Sequence, residues 1–246
     1  MALTAEDRYG EVLARQQDSP TLRAIYRSAY GADHPAELEP FGFVTWTDLR
    51  RIAELLRLGA GDVLADLGCG RGGPGLWVAG RSGASLIGVD LVAAAIEQAR
   101  RTAAGSGRSA RFEVASIART GLPDRSCHAV LSVDALWMVW DKPAAVREMA
   151  RILEPGGRLA LTTWEPAYLD HRALLESVGF DVLVREETPD WLSRQTAVYD
   201  GILAARGQLA AELGPEAAEV LVDEARETPS LLPDSPRILV AALRRG

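Results

Sequence analysis

The sequence contains few cysteines, histidines and long apolar runs, and each scarcity excludes a class of protein. Two cysteines, Cys69 and Cys127, are too few for a disulfide framework or a cysteine-rich zinc site. No spacing of His, Asp or Glu is typical of a metal site, so no metal is predicted. No apolar run reaches the roughly twenty residues of a membrane-spanning helix, and the polar N-terminus is not typical of a signal peptide. We expect a cytoplasmic protein without membrane contact.

Positive charge is also in the minority. The 246 residues include 34 acidic and 27 basic side chains, a net charge of −7. Proteins that bind nucleic acid normally present a basic face, but arginine clusters here only as short pairs such as Arg50 and Arg51. We therefore expect no nucleic-acid partner. The length fits one α/β domain with extra segments.

The most informative stretch covers residues 63–75. An apolar strand ends there in Asp66, and a loop with five glycines follows it directly. A second apolar strand, residues 85–90, ends in Asp90. Glycine allows the backbone to approach a ligand closely, and a carboxylate such as Asp90 accepts hydrogen bonds from both hydroxyls of a ribose. The pattern predicts a nucleoside site.

The charge of Asp66 indicates which nucleoside binds. Gly68, Gly70 and Gly73 satisfy the dinucleotide fingerprint G-x-G-x-x-G, with Asp90 about twenty residues further on. A dinucleotide would place its pyrophosphate over this loop, where Asp66 would face a like charge. S-adenosylmethionine (SAM) carries an ammonium and a sulfonium group instead, and a carboxylate suits both. The sign of the charge therefore favours SAM over NAD.

These residues resemble the class I SAM-dependent methyltransferases. The resemblance rests on the loop at 66–75, on Asp90, and on residues 154–159, which in that family form the turn into the fifth strand. It covers roughly residues 45–190. The loop is most similar to bacterial small-molecule methyltransferases of secondary metabolism, which implies a role in natural product biosynthesis.

The alternation of strands and helices predicts an α/β fold with a doubly wound, mostly parallel sheet and helices on both faces. The seven predicted strands cover about 62–67, 85–90, 110–115, 128–133, 158–163, 180–186 and 236–243. A helix over about 45–58, ended by Gly59, precedes the first strand. The resemblance implies that the last strand is antiparallel and inserted beside the sixth. We expect four segments: an N-terminal helical extension or lid (1–58), a SAM-binding core (59–188), a helical cap (189–235), and the last core strand with the C-terminus (236–246).

Ligands in such sheets bind at the carboxyl ends of the strands, which defines the cofactor-binding candidates. These are Asp66, Gly68, Cys69, Gly70, Gly73, Asp90, Leu91, Ser116, Ile117, Ser132 and Val133. By the resemblance, Leu91 and Ile117 would lie beside the adenine, and Ser116 stands where the family commonly has Asp. A structural turn is the alternative role for the acid and the glycines of the loop.

Aromatic residues outside the predicted strands are the candidates for an acceptor pocket closed by residues 1–45 and 189–235. The predicted substrate-binding residues are Phe41, Phe43, Trp46, Trp137, Trp140 and Tyr168, with Trp191 and Tyr199 of the cap as further aromatic candidates. Core packing is the alternative role for each. The pattern predicts a medium-sized, largely apolar or aromatic acceptor.

Three residues are candidates for catalysis. His171, with nearby Tyr168, is the best candidate for a base because it follows the carboxyl end of the fifth strand. Asp134 is placed to orient the cofactor or an acceptor amine, with a helix cap as the alternative. A base helps a hydroxyl acceptor and is less needed for a neutral amine or an electron-rich carbon. Nitrogen, oxygen and carbon acceptors therefore all stay open.

Three alternatives to a small-molecule methyltransferase follow from the same residues. A SAM-binding protein or a cyclase of the same fold would keep the cofactor without methyl transfer. An NAD-dependent oxidoreductase shares the glycine fingerprint, but the only lysine, Lys142, has Met138 four residues before it, so there is no Tyr-x-x-x-Lys pair. A macromolecular methyltransferase is disfavoured by the acidic balance. The oligomeric state stays open, with a homodimer as one alternative.

Overall fold

A single seven-stranded sheet forms the centre of the computed structural model, which describes residues 12, 16, 19–38, 42–105, 107 and 109–246. Its strands are β1 (Val63–Leu67), β2 (Ser85–Asp90), β3 (Ala110–Val114), β4 (Cys127–Val133), β5 (Leu153–Trp164), β6 (Phe180–Glu187) and β7 (Arg237–Arg244). They are ordered β3-β2-β1-β4-β5-β7-β6. β7 lies antiparallel between β5 and β6, and the other neighbouring pairs are parallel. The predicted fold class and the position of the last strand are confirmed.

Helices cover both faces of this sheet. They are α1 (Pro20–Tyr30), α2 (Trp46–Leu56), α3 (Gly73–Ser82), α4 (Ala93–Ala104), α5 (Lys142–Ile152), α6 (His171–Glu176), α7 (Trp191–Ala204), α8 (Arg206–Leu213) and α9 (Pro215–Glu227). Successive strand residues point to opposite faces. Leu64 of β1 therefore packs in the cluster with α2, α3 and α4, while Ala65 packs in the cluster with α5 and α6.

A third apolar cluster joins the N-terminal helix to the cap. Leu22 of α1 and Phe43 pack there with Val198 of α7, Leu213 of α8 and Leu221 of α9. The predicted helical stretch over 189–235 is three α-helices followed by two short 3-10 turns. α1 and the cap helices α7, α8 and α9 thus share one apolar cluster.

Two element boundaries differ from the prediction. α2 begins with a reciprocal cap, in which Thr45 and Asp48 each accept the other's backbone amide. It ends at Leu56 because Arg57 adopts a left-handed conformation, so the predicted stop at Gly59 was wrong. β5 begins at Leu153 rather than Arg158 because this strand stays paired with β4 across a bulge.

Candidate active site

The glycine loop lies at the carboxyl end of β1 and is held by backbone contacts. The amides of Gly68 and Cys69 both donate to the carbonyl oxygen of Val89, at 2.8 and 3.1 Å. Gly68 and Gly70 have φ angles of +76° and +51°, which favour glycine. A Cβ on Gly68 would lie 2.3 Å from the Cβ of Ala135, whereas a Cβ on Gly70 would meet nothing within 4 Å. The loop is therefore tightly packed at Gly68 and open at Gly70.

Asp90 ends β2 and organises this loop. Its carboxylate accepts the Gly70 amide at 2.8 Å on one oxygen and the Val92 amide at 2.9 Å on the other. A carboxylate offers about four acceptor positions, so each oxygen keeps capacity for a ligand hydroxyl. Burial raises the pKa of Asp90, and the backbone hydrogen bonds oppose that rise.

Asp66 lies at the end of β1 and is only 1% exposed. Neither of its carboxylate oxygens has a hydrogen bond of normal geometry to another described residue. Burial, and then the charge of Asp90, raises the pKa of Asp66 to about 7, although the nearby Gly75 amide opposes the rise. A Cβ on Gly75 would come within 2.4 Å of the Asp66 Oδ2 atom. This uncompensated carboxylate favours a positive charge nearby.

The residues that follow β2 and β3 approach the same loop. Leu91, next to Asp90, leaves 51% of its surface exposed, and Ile117 is buried. The Cδ1 atom of Ile117 is 3.2 Å from the position of a Cβ on Gly68. The Ser116 hydroxyl accepts the amide of Ala118 and so closes its own turn.

The remaining cofactor candidates close the loop from two other sides. The Ser132 hydroxyl donates to the Leu67 carbonyl at 2.8 Å and ties β4 to β1, and Val133 after it is half-buried. Gly73 packs directly under the N-terminal segment, because a Cβ there would lie 2.0 Å from the Leu38 carbonyl oxygen. The structure thus brings the predicted cofactor residues together at one edge of the sheet. Their role in binding stays a prediction.

A cavity of about 580 Å³ lies between the ends of β4 and β5, the N-terminal segment and the cap. Its aromatic wall consists of Tyr26, Phe43, Trp137, Trp164, Tyr168 and Tyr199. Phe43 contacts Trp164 and Tyr199 edge to face at centroid distances of 5.7 and 5.8 Å. Asp134 lines the cavity as well, and the next residue is Ala135, which packs against Gly68. The cavity and the glycine loop are therefore neighbours.

Three of the six predicted acceptor-binding residues line this cavity, namely Phe43, Trp137 and Tyr168. Trp46 instead contacts Trp77 between α2 and α3 in a tilted arrangement, with ring centroids 5.4 Å apart. Trp140 is fully exposed, and Phe41 lies outside the described residues. The cavity is thus built from fewer of the predicted aromatic residues than expected.

The predicted catalytic residues are placed less favourably. His171 is fully buried beside Glu165, with its Nδ1 3.2 Å from a carboxylate oxygen, and it does not line the cavity. Burial lowers the pKa of His171. Tyr168 is 90% exposed at the cavity wall. The structure therefore does not bring His171 and Tyr168 together at the aromatic cavity.

Asp134 is already engaged by a buried ionic cluster that sequence reasoning missed. Arg237, the first residue of β7, donates to both oxygens of Asp134 at 2.9 and 3.1 Å and to Asp48 at 2.8 Å. The Thr162 hydroxyl and the Phe43 amide also donate to Asp134, at 2.8 and 2.9 Å. Asp134 thus positions the N-terminal segment rather than offering a free base.

A chain of polar side chains in the cavity was also missed. The Trp164 indole donates to Gln195, Gln195 donates to Tyr199, and Tyr199 donates to Glu224, at 3.0, 3.0 and 2.9 Å. The one signal in the sequence is a glutamine four residues before a tyrosine on the buried face of a predicted helix.

Comparison with known proteins defines the class of this domain. Residues 65–161, from β1 into β5, match the family described as the methyltransferase domain. Together with the sheet order and the glycine loop, this match makes the segment a class I SAM-dependent methyltransferase domain.

Two bacterial methyltransferases are among the relatives that the chain matches. The chain is 30% identical over 151 residues to methyltransferase GfsG of Streptomyces halstedii, covering 59% of this chain and 54% of the relative. It is 35% identical over 113 residues to the 27-O-demethylrifamycin SV methyltransferase of Amycolatopsis mediterranei (strain S699), covering 45% and 42%. The chain thus spans about half the length of these curated relatives.

A solved structure extends the fold comparison to the full chain. The [4+2]-cyclase SpnF superimposes with a TM-score of 0.74 at 20% identity, covering 100% of this chain and 97% of that one. At this identity the likeness shows the shared fold alone. No helix among the described residues has both the length and the apolar character needed to cross a bilayer.

Proposed function

We propose that this protein uses SAM to methylate a nitrogen, oxygen or carbon atom of a small, largely apolar or aromatic metabolite. The observation that carries the proposal is the position of the glycine loop, between Asp66 and Asp90 and next to an aromatic cavity. A cationic nucleoside at the loop and an apolar acceptor in the cavity would then meet near Asp134.

The residues present fit this cofactor. Asp66 is a buried carboxylate whose oxygens lack a normal hydrogen bond among the described residues, so a cationic ligand lowers the cost of its ionisation. Asp90 keeps acceptor capacity for a ribose. The open space at Gly70 leaves room for the ligand. A phosphate over the loop would face Asp66 instead, which disfavours a dinucleotide.

The protein contributes mainly positioning. When bound, SAM supplies an electrophilic methyl group for in-line substitution, in which an electron pair of the acceptor forms the new bond and the C–S electron pair leaves with S-adenosylhomocysteine. The proton that the acceptor loses passes to solvent. Phe43, Trp137 and Trp164 exclude water and restrict the acceptor; such alignment can supply about 7–11 kcal/mol. Their rings also favour positive charge at the reacting centre.

The acceptor class has support from the relatives' names. One relative is called a 27-O-demethylrifamycin SV methyltransferase, which agrees with the predicted role in natural product biosynthesis. The cytoplasmic location and the homodimer remain predictions from the sequence.

Methyl transfer can be tested with SAM that carries a labelled methyl group and a panel of aromatic and polyketide-like acceptors. The proposal expects label in an acceptor, with one S-adenosylhomocysteine formed per methyl transferred. Transfer without any acceptor dependence, or no transfer across the panel together with no SAM binding, contradicts it.

A matched pair of tryptophan variants tests the cavity. Trp137→Ala removes a ring that lines the cavity and is 40% exposed, whereas Trp140→Ala removes a fully exposed ring. We expect the first variant to raise the acceptor KM about tenfold, equivalent to about 1.4 kcal/mol, with SAM affinity unchanged. The second should change neither. Equal loss of acceptor and SAM affinity in Trp137→Ala would show that this ring only packs the core.

A cyclase of the same fold is the second candidate. The [4+2]-cyclase SpnF shares this fold, and His171, the predicted base for methyl transfer, does not line the apolar cavity. The two candidates differ in one product: a cyclase consumes its substrate without forming S-adenosylhomocysteine.

A further inference from the structure

One basic side chain, Lys142, lines the aromatic cavity. It is the first residue of α5 and is partly buried. Among the described residues around the cavity it is the only basic one. It is also the only lysine of a chain whose lysines and arginines together number 27. The cavity therefore contains a single compact ammonium group.

This ammonium is held by two of its three hydrogens. An ammonium group has three N–H donors and no acceptor. The Lys142 Nζ donates to the backbone carbonyl oxygens of Trp137 and Val139, at 3.0 and 2.9 Å. These contacts fix the short turn Leu136–Met138 and the position of Nζ. The third N–H has no acceptor in the part of the chain that the structure describes.

No acidic side chain compensates the charge of Lys142. Partial burial alone lowers its pKa, whereas a neighbouring carboxylate would raise it. Asp134, Glu224 and Asp234 also line the cavity, but none of them contributes to this shift. The ammonium is therefore locally uncompensated, and an oxygen atom brought by a ligand would lower the cost of its partial burial.

The surroundings of Lys142 make a hydrogen bond from its third N–H selective. Trp137, Met138 and Leu169 line the same cavity, and a hydrogen bond is stronger in such weakly polar surroundings than in water. The two carbonyl partners show that oxygen acceptors fit this ammonium. An ionised oxygen should bind more strongly than a neutral one, because hydrogen bonds between charged groups are the stronger ones.

We propose that Lys142 is a specificity-determining residue that binds an oxygen atom, a carbonyl or more strongly an ionised oxygen, on an otherwise apolar acceptor. The proposal rests on the proposed function, since it takes this cavity as the acceptor site. It narrows the acceptor class from apolar molecules in general to those with such an oxygen on the side of the cavity where α5 begins.

Three probes of nearly identical shape test this proposal: 3-phenylpropanoate, 4-phenylbutan-2-one and (3-methylbutyl)benzene. Their affinities are measured by saturation-transfer NMR with S-adenosylhomocysteine present. Lys142→Gln removes the charge. We expect it to weaken binding of the carboxylate about tenfold and of the ketone about threefold, while binding of the hydrocarbon stays the same. A larger loss for the carboxylate identifies charge as the main contribution, whereas equal losses of the two oxygen-bearing probes identify the hydrogen bond alone.

Two further variants keep the test specific to the position and charge of Lys142. Arg147→Gln is the matched control, because it removes a positive charge from the exposed side of the same helix, away from the cavity. It should change the affinity of no probe. Lys142→Arg keeps the charge and should retain most of the preference for the carboxylate over the hydrocarbon.

Three results would overturn the proposal. The first is an equal change for all three probes, or no change, in Lys142→Gln, which would show that the lysine only holds its own turn. The second is the same selective loss in Arg147→Gln, which would show a long-range effect of charge. The third is a loss of carboxylate binding in Lys142→Arg as large as in Lys142→Gln.

Titration of S-adenosylhomocysteine on the same samples separates this inference from the proposed function. If the nucleoside binds and the probes do not respond to Lys142, the inference alone fails. If the nucleoside does not bind to the wild type, the proposed function fails, and the selectivity among the probes still reports on Lys142.

Discussion

A single buried carboxylate, Asp66, determines which charge is preferred at the proposed nucleoside site. Its pKa of about 7 arises mainly from loss of solvent, because no described residue gives it a hydrogen bond of normal geometry. Near neutral pH the group therefore changes its charge easily. A cation that binds close to it restores the ordinary ionised state, whereas an anion would make ionisation still less favourable.

The raised pKa of Asp66 makes stability depend on pH. An unfolded aspartate loses its proton near pH 4, while the native one keeps it until about 7. The native state thus binds more protons in this window, and the free energy of unfolding falls as the pH rises. Between about pH 5.5 and 8.5 the free energy of unfolding of the ligand-free wild type should fall by about 2 kcal/mol more than that of Asp66→Asn.

Denaturant unfolding at both pH values measures this difference. Glu113→Gln, on the exposed side of β3, should keep the slope of the wild type. An Asp66→Asn protein whose pH slope equals that of the wild type would mean that the carboxyl is not uncompensated in the native state.

The pKa of Lys142 can be measured directly because Lys142 is the only lysine in the chain. Partial burial lowers its pKa. Reductive methylation with labelled formaldehyde should give a single side-chain resonance besides that of the α-amino group, titrating below a free lysine control. A resonance that titrates like free lysine would contradict the contact of Lys142 with the cavity wall.

At the scale of elements, the ionic cluster around Arg237 joins three parts of the chain. It links the start of β7 to the end of β4 through Asp134 and to α2 through Asp48. Because Asp134 also accepts the Phe43 amide, the same contacts hold the N-terminal segment over the cavity. The cavity is therefore fixed by elements far apart in sequence.

Removal of the Arg237 guanidinium should strongly lower the stability of the folded protein. Arg237→Met leaves two carboxylates buried without their partner, and loss of one member of a buried pair typically costs about 3–5 kcal/mol. We expect a large drop in thermal stability together with a raised acceptor KM. Arg245→Met breaks an exposed pair with Asp181 and should cost less than about 1 kcal/mol. Similar melting temperatures for the two variants would refute the role given to the cluster.

Helix ends show where local sequence gives incomplete information. The Thr45 cap of α2 is visible as Thr followed three residues later by an acid. The end of α2 is not, because Arg57 takes the left-handed conformation two residues before the glycine that would adopt it most easily. The tertiary position of the loop to β1 decides this boundary.

At the scale of the whole molecule, the sheet was predictable and the cavity was only partly so. Asp66, Gly70 and Asp90 lie within one strand–loop–helix–strand unit, so their spacing already predicts their meeting. Gln195 of α7 meets Trp164 of β5 only after the cap folds over the sheet. No local pattern relates residues so far apart, and the same holds for Arg237 and Asp48.

Calorimetry with nucleoside ligands measures whether the glycine loop binds SAM between Asp66 and Asp90. We predict that the wild type binds SAM and S-adenosylhomocysteine but not NADH. Asp90→Asn should weaken both nucleosides about 10–100-fold, as expected for hydrogen bonds to a charged group. NADH binding to the wild type, or an unchanged SAM affinity in Asp90→Asn, would contradict this account.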